Sequence, residues 1–353
     1  MSLALAGMGW VTPLGCNLSE VWQRIVQGEH PAAETITSAV HPRSYPVFRV
    51  AADQCTPPPH PRLRRSSAIS RFAAAAGFAA LKNAGLELDA AAAERTAIIF
   101  AISNGGVIYT KRFYHEVVES GAQAASPLLF PETVFNAPAS HLAAILGIAG
   151  ASYTIVGDGA VGILAIKMAE DLMENPALDR CLVVAAEEAD WLLCDAYSRW
   201  RLLKKEPPIE VFAAHPRGTI LSEGAGAILI ERGDGEIALE QVAAGCNFRR
   251  QSEAAKCVDS VFAQLAARDE DLIVASANGT FVDTAERSAI ERHCPEAKLY
   301  APKLSLGESV GASGIWQVIA AAMALQTAQN SRRALVSACG LNQQVAGLAL
   351  RRN

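Results

Sequence analysis

Three stretches of this 353-residue chain place polar or ionisable side chains beside glycines: TIVGDGAVG (154–162), SANGTF (276–281) and KLSLGESVGASG (303–314). Each reads as a buried strand, a sharp glycine turn and the start of a helix. In α/β proteins such turns deliver side chains to the sheet edge, where a helix N-terminus offers free N–H groups and partial positive charge. The groups delivered are Asp158, Asn278, Lys303, Glu308 and Ser309. Glu308 beside Ser309 has the chemistry of a base next to a hydroxyl, although Ser309 equally suits a helix cap. Asp158 suits a catalytic acid or a cap for the helix that follows it. GDGAVG also fits GxGxxG, with Glu187 and Glu188 after the next strand where a ribose-binding acid would stand. The motif lies mid-chain without a Walker lysine, which argues against nucleotide; packing glycines at a strand–helix join are the alternative.

The elements that must position these loops follow an α/β alternation. Leu3–Met8 reads as a first strand, and Asn17 opens a helix carrying Val21, Trp22, Ile25 and Val26. The proline- and arginine-rich stretch from His41 to Arg65 is expected to lack regular structure. A helix over 68–83 ends at Gly85, strands are expected at 96–101, 152–156 and 181–186, and helices at 138–146 and 160–173. Gly218–Glu231 and Glu236–Cys246 read as adjacent strands joined by the Gly233-Asp234-Gly235 turn, which marks the best internal boundary. Beyond it come helices at 254–266, 283–293 and 314–327 and strands at 272–275, 334–338 and 345–350.

Composition narrows the function classes. Apolar residues make up 51% and charged residues 19%, so a large core is available and global disorder is excluded. A net charge of −5 opposes nucleic-acid binding, which needs a basic face to displace counterions. The most apolar stretch, Leu142 to Ile166, is broken by five glycines, Tyr153 and Asp158, so no membrane insertion is expected. The N-terminus lacks a basic segment ahead of its glycine–proline turn, and a cytoplasmic location is expected. The eight cysteines are then expected to be reduced, and with no CxxC pair no metal site is expected.

Four segments taken in order carry a resemblance. AGMGWVTPLGCNLSEVWQRIVQGEHP, FPETVFNAPASHLAAILGIAGASYTIVGDGAVG, RGTILSEGAGAILIE and APKLSLGESVGASG resemble the β-ketoacyl-ACP synthase (ketosynthase) family of thiolase-like proteins, nearly end to end. The resemblance implies a thiolase-like α/β fold: two stacked halves, 1–232 and 233–353, in alternating layers of helix and mixed sheet. It implies no cofactor. It also places the family's cysteine nucleophile, in T-A-C-[AS]-[SG]-[SG], at Gly159, and its two histidines at Asn278 and Glu308. Lys303 and Glu223 match a lysine and a glutamate that stand behind those histidines and are expected to pair. Ala338 takes the place of a gating phenylalanine.

All three reactive groups are therefore replaced. Condensation needs a thiolate to accept the acyl chain and two imidazole N–H groups to stabilise an enolate. Glycine has no nucleophile, Asn278 cannot exchange a proton near neutral pH, and Glu308 brings charge of the wrong sign. Cys194 and Cys339 lie in apolar runs and read as buried structural thiols, and His141 as a structural histidine. The leading expectation is a non-catalytic subunit similar to the chain-length factors of type II polyketide and aryl-polyene systems, paired with an active ketosynthase. A rewired acyl-thioester enzyme (thioesterase, acyltransferase or malonyl decarboxylase) using Glu308 and Asn278 is the alternative, and a homodimer holding an acyl chain or carrier protein is the third. Arg62, Arg64 and Arg65 are candidates for docking an acidic acyl carrier protein, or a solvated loop. Leu128, Leu129, Phe130 and Phe135 border the family's dimer contact, or belong to the core.

Overall fold

The structure is a computed structural model and describes residues 2–52 and 54–353. β1 (Leu3–Val11) is buried along almost its whole length, as a strand covered on both faces must be. Asn17 accepts from the Glu20 N–H and starts α1 (Leu18–Val26), whose Val21, Trp22 and Ile25 face inward. The stretch expected to be irregular contains β3 (Ser44–Phe48), paired antiparallel with β2 (Glu34–Thr37), and a 3-10 turn at Pro61–Arg65. Alternating burial of Tyr45 and Val47 on either side of Pro46 is the strand signal that the prolines mask.

Next come α2 (Ala68–Asn83), α3 (Ala90–Glu94), β4 (Thr96–Ile102), α4 (Val107–Ser120), α5 (Ala137–Leu146) and β5 (Ser152–Val156). α6 (Val161–Leu172), β6 (Arg180–Glu187), α7 (Trp191–Arg199), β7 (Leu221–Ser222) and β8 (Gly224–Arg232) follow. The remainder holds β9 (Ile237–Asn247), α8 (Ala254–Gln264), β10 (Leu272–Val274), α9 (Phe281–His293), β11 (Lys298–Tyr300), α10 (Lys303–Leu306), α11 (Ser313–Thr327), β12 (Arg333–Cys339) and β13 (Gln344–Arg352).

The strand order repeats. One set runs β1-β8-β6-β4-β5 and the other β9-β13-β12-β10-β11, each with two antiparallel pairs followed by two parallel ones. The sets join through β1 and β9, where Ala4 faces Ala238 and Leu5 faces Ile237. β8 and β9 are thus not the adjacent pair expected from the Gly233–Gly235 turn. β1 lies between them, because it pairs with β8 from Leu3 to Val11 and fills the edge a hairpin would need.

Helices cover both faces of each set, giving the expected alternating layers. α6 and α11 pack in the middle layer with strands of both sets, α2 and α5 on the outer face of the first, and α8 and α9 on that of the second. Side-chain-free backbone sets the closest approaches. A methyl group at Gly9 would run into the Ala76 carbonyl of α2, and one at Gly162 would stand 3.1 Å from Ile315 of α11. Cys246 of β9 and Cys257 of α8 form a disulfide, with Cα atoms 5.6 Å apart, which corrects the expectation of eight reduced thiols. Among the described residues no helix is long and apolar enough to cross a membrane.

The β1–α2 contact makes Gly9→Ala destabilising by about 1–3 kcal/mol through overpacking. Denaturant unfolding will show this as a lower midpoint with an unchanged slope; an unchanged midpoint would contradict the contact.

Candidate functional site

The turn after β5 is closed by hydrogen bonds from Gly157 N–H to Ile102 C=O (3.0 Å) and from Val161 N–H to Asp158 C=O (2.8 Å). Gly159 sits at its tip. A Cβ there would stand 3.0 Å from Gly340 Cα, so the backbone after β12 presses onto this position. Asp158 holds that backbone down. Its Oδ2 accepts from the N–H groups of Asn342 (2.8 Å) and Gln343 (2.9 Å), while Gln344 Oε1 accepts from the Asp158 N–H (2.8 Å). Asp158 therefore ties two loops together instead of capping the next helix, whose N-cap, Ala160, has no side-chain bond.

Glu308 occupies the centre. Its backbone is stitched to the β7 segment, the N–H donating to Ile220 C=O (2.9 Å) and the C=O accepting from Ser222 N–H (3.0 Å). Its carboxylate accepts four bonds. Oε2 takes one from Lys303 Nζ (2.8 Å) and one from Asn278 Nδ2 (2.7 Å); Oε1 takes one from Ser313 Oγ (2.7 Å) and one from Val310 N–H (2.9 Å). A carboxylate has about four acceptor positions, so none is left over. The Lys303 and Glu308 side chains are each 2% exposed. Burial pushes the Glu308 carboxyl upward, but the Lys303 ammonium and the donors from Lys303, Asn278 and Ser313 outweigh it and hold it below the usual range.

The bonds continue outward. Lys303 Nζ also donates to Ser276 Oγ (2.9 Å), which in turn donates to Cys339 C=O (3.1 Å) and accepts from Cys339 N–H (3.0 Å). Asn278 Oδ1 accepts from Thr280 Oγ1 (2.6 Å), and Asp283 gathers the N–H groups of Asn278 (2.8 Å), Gly279 (3.0 Å) and Phe212 (2.6 Å). A continuous chain of contacts thus runs from Gly159 through Gly340, Cys339, Ser276 and Lys303 to Glu308 and Asn278. The three loops singled out in the sequence converge, and every polar group along this path points inward.

Lys303 and Glu223 do not pair. Glu223 instead receives Arg49 Nη1 (3.3 Å) and the N–H groups of Ala189 and Val50 (each 3.3 Å), because Glu308 lies nearer to the lysine. Ala338 is fully buried inside β12 opposite Ala346, so no side chain from that position overhangs the turn. Cys339 and Cys194 are buried thiols; burial pushes Cys194 up to about 12 and Cys339 well above its usual value. Ser309 does not cap α11, whose N-cap is Ala312, and Glu308 has no acceptor free to activate it. His141 Nε2 bonds Glu132 Oε1 at 2.6 Å, as a structural histidine does. Ser276 and Ser313 were missed by sequence reasoning, since a serine in an apolar or glycine-rich run carries no signal of its partner. Among the described residues no cluster of His, Cys, Asp or Glu could hold a metal.

Beside the turn lies a cavity of about 380 Å³, walled by Leu193, Ala196 and Tyr197 of α7 and by Trp200 just after it, and floored by Asp158 and Gln344. Two carboxyls lie behind the site. Glu187, fully buried, is pushed up to about 8 by burial, against N–H bonds from Ser103 and Asn104. Glu286, also fully buried, is pushed up to about 7 by burial.

The Lys303–Glu308 pair makes a testable demand. Lys303→Met strands a buried carboxylate and lowers stability at pH 7 by about 3–5 kcal/mol. The wild-type Glu308 carboxyl titrates below its unfolded value, so its contribution is present above about pH 4.5 and is lost as pH falls through the folded value. In the variant the sign reverses: without its cation Glu308 rises, and the deficit narrows as pH falls and the carboxyl is protonated. Thermal unfolding from pH 8 to 4.5 checks this. A deficit that is constant or widens toward acid would contradict the geometry.

The model for "Beta-ketoacyl synthase, N-terminal domain" matches residues 2–235, and that for "Beta-ketoacyl synthase, C-terminal domain" matches residues 238–333. Nodulation protein E of Rhizobium leguminosarum bv. trifolii is 25% identical over 350 residues, covering 92% of this chain and 86% of that protein. A β-ketoacyl synthase from Burkholderia phymatum STM815 superposes with a TM-score of 0.85 at 18% identity, over 100% of this chain and 99% of that one. The ishigamide ketosynthase/chain length factor superposes with a TM-score of 0.82 at 21% identity, over 100% and 99%. The fold is thiolase-like, and the two matched domains between them cover most of the sequence: the chain belongs to the β-ketoacyl synthase family.

Proposed function

We propose that this protein is a ketosynthase-like subunit without condensing chemistry of its own, which completes the dimer of an active β-ketoacyl synthase in type II fatty-acid or polyketide biosynthesis, in the manner of a chain-length factor. Its two halves are then 1–232 and 233–353. The observation that carries this reading is the state of Glu308. A carboxylate stands where the family keeps an imidazole, ionised and with all four acceptor positions filled. It has neither a proton to donate nor a lone pair to receive one, so a rewired hydrolase built on Glu308 lacks its base. Gly159 supplies no nucleophile, and Gly340 occupies the space beside it.

The exposed surface supports a partner. β5 ends the sheet with one edge unpaired, and Tyr153 and Val156 on it are 44% and 49% exposed. α4, 14 residues long, buries none of them. Leu128, Phe130 and Phe135 are exposed and Leu129 is half-buried, so these four do not form the core that was the alternative. An open strand edge flanked by apolar side chains is a liability unless another chain covers it. The ishigamide ketosynthase/chain length factor joins those two subunits by name, and the same pairing across β5 is the arrangement proposed here. Arg62, Arg64 and Arg65 are all exposed on the Pro61–Arg65 turn, and this basic rim suits an acidic carrier protein.

Co-expression with an intact ketosynthase from the same genome is expected to yield a 1:1 complex, which Tyr153→Glu with Val156→Asp breaks. The isolated chain is expected to turn over no acyl- or malonyl-carrier protein. Turnover by the isolated chain, lost in Glu308→Gln, would overturn the proposal; a tight homodimer that ignores the ketosynthase would favour a binding protein instead.

Charge reversal at Arg62, Arg64 and Arg65 together is expected to weaken acyl carrier protein binding by about tenfold at low salt, with the difference shrinking above about 0.3 M. Titration at two salt concentrations checks this; equal affinity at low salt would remove the arginines from the docking surface.

A further inference from the structure

The long sheet has two ends, β5 at one and β11 at the other. β11 is three residues long and pairs on one side only, in parallel with β10. Between it, one face of α1 and the C-terminal end of α11 lies a groove of about 430 Å³, within the size range of small-molecule sites. Local geometry builds its walls. Ser19, Trp22, Gln23 and Val26 share one face of α1 by helical spacing, and Lys298 and Tyr300, two apart on a strand, share one face of β11. Met323 closes the groove from α11.

The groove combines an aromatic corner with unengaged donors. Trp22 is 4% exposed, and its ring stands 5.2 Å from that of Tyr300, tilted by 54°. Lys298 Nζ lies 5.2 Å from the centre of the Tyr300 ring and is the one charged group among the lining side chains. Among the described residues the Lys298 ammonium has no carboxylate or other acceptor, and the Trp22 indole N–H has none either. An indole N–H at such depth ordinarily finds an acceptor. Thr327, at the end of α11, competes for no ligand: its hydroxyl is spent on the Met323 and Ala324 carbonyls.

These features select a ligand by its chemistry. A cation is repelled by Lys298, and a plain hydrocarbon leaves both donors unmet. A flat ring meets tilted aromatic walls through edge and offset-face contacts that an alkyl chain cannot make, and the Met323 thioether adapts to it. We propose that this groove binds a flat aromatic carboxylate, with its ring against Trp22, Tyr300 and Met323 and its acid group held by Lys298. The groove lies at the opposite end of the sheet from β5, so it stays open whether or not a partner covers that edge, and the inference is independent of the function proposed above.

Saturation-transfer NMR titration of the full-length protein with 2-naphthoate tests this, beside naphthalene-2-carboxamide (same ring, no charge) and octanoate (same charge, no ring). The expected Kd for 2-naphthoate is about 0.1–1 mM, ordinary for so small a ligand. The carboxamide and octanoate are each expected to bind about tenfold more weakly. Lys298→Glu, at an exposed position that leaves the fold intact, is expected to weaken 2-naphthoate by about tenfold or more, whereas Lys298→Arg retains it. Trp22→Phe keeps a ring in the corner without its N–H and is expected to weaken binding about fivefold. The proposal is overturned if 2-naphthoate gives no saturation transfer up to about 5 mM, or if octanoate or the carboxamide binds as tightly. Unchanged affinity in Lys298→Glu would also overturn it, by putting the ligand elsewhere.

Discussion

The centre of this protein is organised by one buried charge and the donors that neutralise it. Glu308, 2% exposed, would be untenable alone at its depth. Lys303 supplies the compensating charge, and Asn278, Ser313 and Val310 satisfy the remaining acceptor positions. These donors come from the loop after β10, the start of α10 and the turn into α11, while the Glu308 backbone is held by the β7 segment. One residue thus fixes the relative positions of four segments. The same satisfaction that makes the carboxylate tolerable removes its reactivity, since a group with every lone pair engaged and its pKa held low is a poor base.

The replacements are mutually consistent. A neutral imidazole at position 308 could only accept a hydrogen bond from Lys303, whereas a carboxylate forms an ion pair with it. Asn278, which cannot titrate near neutral pH, donates one bond to Glu308 and accepts one from Thr280. With no side chain at position 159 Gly340 lies close, and Asp158 holds that backbone by accepting from the following N–H groups. Charge, hydrogen bonding and packing all describe a cohesive core inside a thiolase-like frame whose β5 edge is unpaired.

Much of this was legible in the sequence because the loops are short and their glycines sit at fixed offsets from buried strands. The helix over 68–83 and the strand over 152–156 were read to the residue, and Gly159, Asn278 and Glu308 do converge on one connected network. The misreadings have physical causes. Pro46 disguised β3 because proline is depleted in strands, although Tyr45 and Val47 still alternate inward. The apparent hairpin at Gly233–Gly235 failed because local turn chemistry says nothing of a third strand, β1, arriving from the far end of the chain. The Arg49–Glu223 and Lys303–Glu308 pairs depend on which of two glutamates folds nearer to a lysine, and the Cys246–Cys257 bridge on the packing of β9 against α8. Ser276 and Ser313 were invisible for the same reason: their partners are set by tertiary placement.

The central claim is that Glu308 is a permanently charged structural anion. Carbon-detected NMR titration of the glutamate side-chain carboxyls, with the Glu308 resonance assigned by its loss in Glu308→Gln, reads this directly. The claim predicts that the Glu308 carboxyl stays ionised from pH 8 down past the ordinary glutamate value of about 4.3, shifting only where the fold itself begins to fail. A Glu308 carboxyl that titrates near neutral pH in the folded protein would show an acid–base group at the centre after all, and would contradict the account.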